Sequence, residues 1–178
     1  AWDRIGIALK KGHLQNQPKG QEHAAKTWRS LQLEKLTFSV LYSKKDERLC
    51  QAAIQALSNA LQGFDKSKRE SIVSPGTQTF FYRTALEGMW SSGIQMAAFD
   101  FLTNASVTAA IQVAKLRLNR PDSKDDLFMR SHCLEWLMQQ DPASVFDESG
   151  FIEKVGTNDP CPLVRQTFVK GLERSTWA

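Results

Sequence analysis

The chain has 178 residues, 42% of them hydrophobic and 24% charged, with a formal net charge of +4. These are ordinary globular proportions, sufficient for one sizeable core, and no apolar run approaches the roughly 18 residues that a membrane helix needs. Three cysteines, Cys50, Cys133 and Cys161, are odd in number and far apart, which excludes a disulfide framework or a zinc pattern and predicts buried thiols.

The charge is uneven. Residues 1–69 hold 13 Lys/Arg against 6 Asp/Glu, and residues 70–178 hold 10 against 13. A basic half beside an acidic half points to an acidic partner or nucleic acid, with Lys10, Lys11, Lys44, Lys45, Lys66, Lys68 and Arg69 as the contacting residues. The plainer reading of the same residues is that they solubilise loop edges. The chain opens on Ala-Trp-Asp-Arg, with neither Met nor a signal pattern, and is therefore expected to be a segment of a longer protein.

In chain order, Trp2, Ile5 and Leu9 fit one face of a short helix over 2–11, and residues 12–20 form a Gly- and Pro-containing linker. A long helix is expected over 21–43, on the stripe Ala24, Trp28, Leu31, Leu36 and Val40, before a polar turn at Tyr42-Ser43-Lys44-Lys45. The next helix spans 46–62, apolar at Leu49, Ala53, Ile54, Leu57 and Leu61, with Gly63 as its stop. Residues 64–78 are expected to be loop-rich, and 79–92 helical through Phe80, Phe81, Leu86 and Trp90. Phe99, Phe101 and Leu102 fall in a short helix, followed by an alanine-rich one over 105–119. Asn119-Arg120-Pro121-Asp122-Ser123 breaks the chain ahead of a helix over 124–140 that packs Leu127, Phe128, Leu134 and Leu137. A short helix near 143–155 and a final one after Pro162 complete the reading. No stretch alternates as a strand does, so the fold class is all-α.

No catalytic set emerges. His13 lies in the linker and His23 early in a helix, while His132 and Cys133 are helical neighbours whose side chains diverge by about 100°. Acidic pairs such as Asp125-Asp126 and Asp147-Glu148 suit helix starts. No nucleophile motif or phosphate loop is present, so a non-enzyme without a cofactor or metal is expected. Trp28, Trp90 and Trp136 are assigned to the core, and Trp2 and Trp177 to the ends, where they could cover neighbouring repeats.

Two features point to internal repetition. Arg48, Arg83, Arg130 and Arg165 each open a run of small and apolar residues, at intervals of 35, 47 and 35. Acidic residues precede three of them. Near the C-terminus, Asn158-Asp159-Pro160-Cys161-Pro162-Leu163-Val164-Arg165 reads as a helix stop, a tight turn and a new helix whose first turn tolerates proline. Asp159 is placed to cap by accepting backbone N–H bonds, and Arg165 to bond carbonyls or acids of the neighbouring turn.

In residue types and order this stretch resembles the turn and second helix of a HEAT repeat. Over Leu127–Glu173 it is also similar to the HEAT region of the TBP-associated-factor family of TFIID subunits. The resemblance implies an α-solenoid of HEAT/armadillo-like antiparallel helix pairs over 21–178, behind an N-terminal helix and linker over 1–20. It further implies that Asp159 and Arg165 stack as a ladder along the solenoid. The function it implies is a non-catalytic scaffold for protein–protein contact within a multi-subunit assembly, such as a transcription initiation complex, with no membrane and a nuclear or cytoplasmic location. A solenoid that binds nucleic acid through its basic half is the alternative.

Overall fold

The computed structural model describes residues 32–43, 46–87, 89–120, 127–140 and 150–175. The expected helix over 2–11, the linker, and residues 21–31 with Trp28 lie outside them. So do Lys10, Lys11, Lys44, Lys45, His13, His23, Trp2, Trp177, Asp125, Asp126, Asp147 and Glu148. Every regular element among the described residues is helical: α1 (32–43), α2 (Glu47–Leu61), α3 (Lys66–Ile72), α4 (Pro75–Leu86), α5 (Ser92–Ala105), α6 (Val107–Leu118), α7 (Leu127–Gln140), α8 (Phe151–Asn158) and α9 (Pro162–Ser175). The chain divides into two compact units between Ala110 and Ile111, inside α6.

In the first unit, α2 begins where Asp46 accepts the Arg48 and Leu49 amides at 2.9 and 3.3 Å. That cap satisfies donors a first turn would leave unpaired. Its buried stripe is Cys50, Ala53, Ile54, Leu57, Ala60 and Leu61. α1 runs antiparallel to it, as the Thr37 hydroxyl bond to the Ala53 carbonyl and the Cys50 thiol contact with the Val40 carbonyl require. α4 and α5 make a second antiparallel pair: Gln95 reaches back to the Glu87 and Trp90 carbonyls, and the Phe81 and Phe101 rings meet at 4.3 Å.

The two pairs stack in matching order. Ser91 bonds Glu47 and Asn104 bonds Ser58, so α5 lies parallel to α2. Glu34 meets Ser74 and Phe38 meets Phe80, so α4 lies parallel to α1. α5 packs on α2, α3 and α4. Ala98, Phe99, Phe101 and Leu102 are accordingly buried around most of its circumference, each large side chain contributing about 1.5–3 kcal/mol.

In the second unit α9 packs on both α7 and α8. Ser131 meets Thr167, Glu135 meets Arg174, and Met138 lies against Gly171, so α7 and α9 are parallel. α8 enters through Gly150, whose φ of 58° is the left-handed conformation that favours glycine. Gly156 lets α8 approach closely, because a Cβ there would fall on the Phe168 ring.

Several sequence expectations are corrected. Residues 64–78 hold α3 and the start of α4, since Ser74-Pro75 is a cap followed by proline at the first helical position rather than a loop. Phe99, Phe101 and Leu102 belong to a 14-residue helix begun by Ser91, which caps the Ile94 amide. α1 buries Leu33, Thr37 and Leu41, leaving Leu36 exposed. Leu127 and Phe128 are exposed, and α7 instead buries Met129, Arg130, Cys133, Leu134, Leu137 and Met138. α2 ends without a left-handed glycine: Gly63 and Phe64 donate to Ala60 and Leu61, tightening the last turn. Of the short helix expected near 143–155, residues 143–149 lie outside the described residues, and α8 runs from Phe151 to Asn158.

Candidate functional site

The parallel stacking of α1 on α4 leaves an open groove of about 740 Å³ between them. α1 lines it with Lys35, Phe38, Ser39 and Tyr42, and α4 with Gly76, Thr79, Phe80 and Arg83. Each set follows the i, i+3/i+4, i+7 spacing of one helical face. Tyr42 is 72% exposed. Its ring stacks on Phe38 at 6.2 Å, Phe38 meets Phe80 edge to face at 4.9 Å, and Phe80 meets Trp90 at 6.4 Å. Phe81, adjacent in sequence, is fully buried.

At one end of the groove the start of α4 is already satisfied. Ser74 caps the Thr77 amide and donates its hydroxyl hydrogen to Thr77. Glu34, buried in α1, accepts the Ser74 amide at 3.4 Å. Burial pushes the Glu34 carboxyl above the usual carboxylate range, while the bonds from Ser74 and Thr77 pull the other way. A carboxylate from within the fold thus occupies the positive end of the α4 dipole. Among the described residues, the basic character of the groove comes from Lys35 and Arg83.

The arginines assigned to a repeat separate into two kinds. Arg130 and Arg165 lie on parallel helices, α7 and α9, just ahead of the facing pair Ser131 and Thr167. Arg130 is buried and ion-pairs with Asp159. Its Nε and Nη1 find no acceptor among the described residues. Asp159 also accepts the Cys161 amide at 2.8 Å, donates its own amide to Val155, and receives Arg165 on its carbonyl. The aspartate thus braces the turn ahead of α9. Arg48 and Arg83 are not equivalent: Arg48 is in the first turn of α2 and Arg83 in the last turn of α4, both exposed.

No family model, curated protein or solved structure matches this chain.

Of the basic residues singled out earlier, Lys66, Lys68 and Arg69 are described, all on α3. Arg69 is spent on the Phe64 and Gln62 carbonyls that follow α2, and Lys68 lies 3.7 Å from Asp65. The three cysteines are buried thiols, none of them in a disulfide. Burial, followed by the nearby Asp46 and Glu47 charges, raises the Cys50 thiol above its ordinary value, the opposite of an activated nucleophile. His132 and Cys133 are neighbours on α7, the cysteine buried. Trp90 and Trp136 are half-buried.

Sequence reading missed the groove. Phe80 reads as core beside Phe81, and Tyr42 reads as the start of a polar turn. The available signal is that Lys35, Phe38 and Tyr42 form a second stripe on α1, offset from its buried one.

Proposed function

We propose that this chain is a non-catalytic helical-repeat scaffold of the HEAT/α-solenoid kind, acting by protein–protein contact within a larger assembly. The observation that carries the function is the α1–α4 groove, an aromatic and basic surface built jointly by two successive helix pairs. Stacked pairs of this sort make extended surfaces, because each helix layer adds a stripe beside the last. Three further features support the repeat reading. α2 and α5 start 45 residues apart, at 47 and 92, within the interval of about 40–47 usual for HEAT and armadillo units. Arg130 and Arg165, 35 residues apart, lie on parallel helices just ahead of the facing pair Ser131 and Thr167. Asp159 joins both, by its side chain to the first and by its carbonyl to the second, a form of the ladder that the resemblance implies. Within this proposal the assembly is one of transcription initiation and the compartment the nucleus, as the likeness over 127–173 implies.

Cross-linking through lysine in the native source tests it. The expected outcome is a reproducible link from Lys35 to one other polypeptide, weakened by Tyr42→Ala. A chain that migrates alone and forms only internal links overturns the proposal.

A further inference from the structure

The groove carries more than a general capacity for contact. Its ends and its middle differ in chemistry. Glu34 faces Ser74 while Tyr42 faces Phe80, so Lys35 lies toward the start of α4 and Arg83 lies one turn beyond Phe80, at the opposite end. Lys35 and Tyr42 are seven residues apart, about 10 Å along the helix axis. Between the two cations the surface is the Phe38, Tyr42 and Phe80 cluster. Among the described residues no carboxylate lines the groove, since Glu34 is turned inward onto the Ser74 amide.

We infer that the groove takes an acidic, amphipathic helical segment of a partner protein, in which two carboxylates about two turns apart bracket apolar side chains. This rests on the scaffold reading above. The carboxylates engage Lys35 and Arg83, and the apolar residues between them cover Phe38 and Phe80. Helix-in-groove recognition uses this i, i+3/i+4, i+7 spacing, and complementary charge sets orientation and on-rate. The chain's own first 31 residues are a poor occupant, carrying six Lys/Arg against two Asp/Glu. Nucleic acid fits less well than an acidic helix. A phosphate backbone needs a track of several cations, whereas the described residues of this groove offer two, and the Phe38 and Phe80 rings already spend their faces and edges on each other.

The test is fluorescence anisotropy of the full chain with a labelled synthetic helix of about four turns, carrying two Glu about two turns apart around Leu side chains. A Gln-for-Glu version is the first control and a single-stranded oligothymidylate the second. The acidic probe is expected to bind, and the Gln probe to bind about tenfold or more weakly. Lys35→Glu with Arg83→Glu should abolish binding of the acidic probe and create binding of a Lys-for-Glu probe. Because both side chains are exposed, circular dichroism should show an unchanged fold. Tyr42→Ser gives a second readout that leaves the charges intact, and should weaken all apolar-bearing probes alike. Equal affinity for the Glu and Gln probes overturns the inference. So does tighter, steeply salt-dependent binding of the oligothymidylate over about 50–200 mM salt. If the parent chain joins the native assembly but binds none of the probes, the scaffold reading stands and the groove assignment falls. If the parent chain joins no assembly, the scaffold reading falls.

Discussion

Removing the Asp159 carboxylate would strand the Arg130 guanidinium in an apolar interior. Breaking a buried ion pair from one side costs about 3–5 kcal/mol, well above the value of a simple helix cap, because the surviving charge loses its compensation. Asp159→Ala is therefore expected to lower the unfolding free energy in urea by about 3–5 kcal/mol, and Arg165→Ala, whose side chain meets one carbonyl from a half-exposed position, by much less. Similar losses in the two variants would show that the pair is not the principal brace. Glu34 supplies a pH-dependent contrast. Its folded value lies above the ordinary 4.5, so its contribution to stability is full below about pH 4.5 and is lost as the pH rises through the higher folded value. Glu34→Gln keeps an acceptor for the Ser74 amide and removes the charge. Thermal unfolding should find it at least as stable as the parent near pH 7, with the advantage gone near pH 4. A Gln variant less stable at neutral pH would mean that the carboxylate charge itself is required.

At the scale of elements, legibility followed how helices announce themselves. The bounds of α2 were readable because a cap at Asp46 precedes an amphipathic stripe with one buried face. Asp46→Ala should accordingly cost about 0.5–2 kcal/mol in chemical unfolding, with the fold kept; no loss would show that the cap is dispensable. The sequence places α4 four residues late because Ser74-Pro75-Gly76 carries turn and cap signatures in the same letters. α5 was cut short for the opposite reason: a helix buried around most of its girth shows no single stripe, and its Ser91-Ser92-Gly93 start looks like a breaker. Arg130 could not be read as core, since a charged residue counts as surface until its partner is located. Asp159 was readable as a turn residue, but not the distant helix that it holds.

At the scale of the molecule, the all-helical class was visible from composition and periodicity, whereas the groove was not. It is made by helices of two different pairs, and no spacing within either one reports which faces will lie side by side. The same arrangement bears on how the first unit is held together. α3 joins the two pairs and buries none of its own residues. It is tied by the Glu70 bond from Ser106 and by Arg69 on the Phe64 carbonyl. Lys66 and Lys68 lie exposed along it, within reach of trypsin. Cleavage there would sever the covalent path between the pairs while leaving α1 on α4 and α2 on α5. The two fragments should stay together through native gel filtration and separate only in denaturant, so that halves expressed apart would reassemble by complementation, peptide continuity at α3 being incidental to the fold.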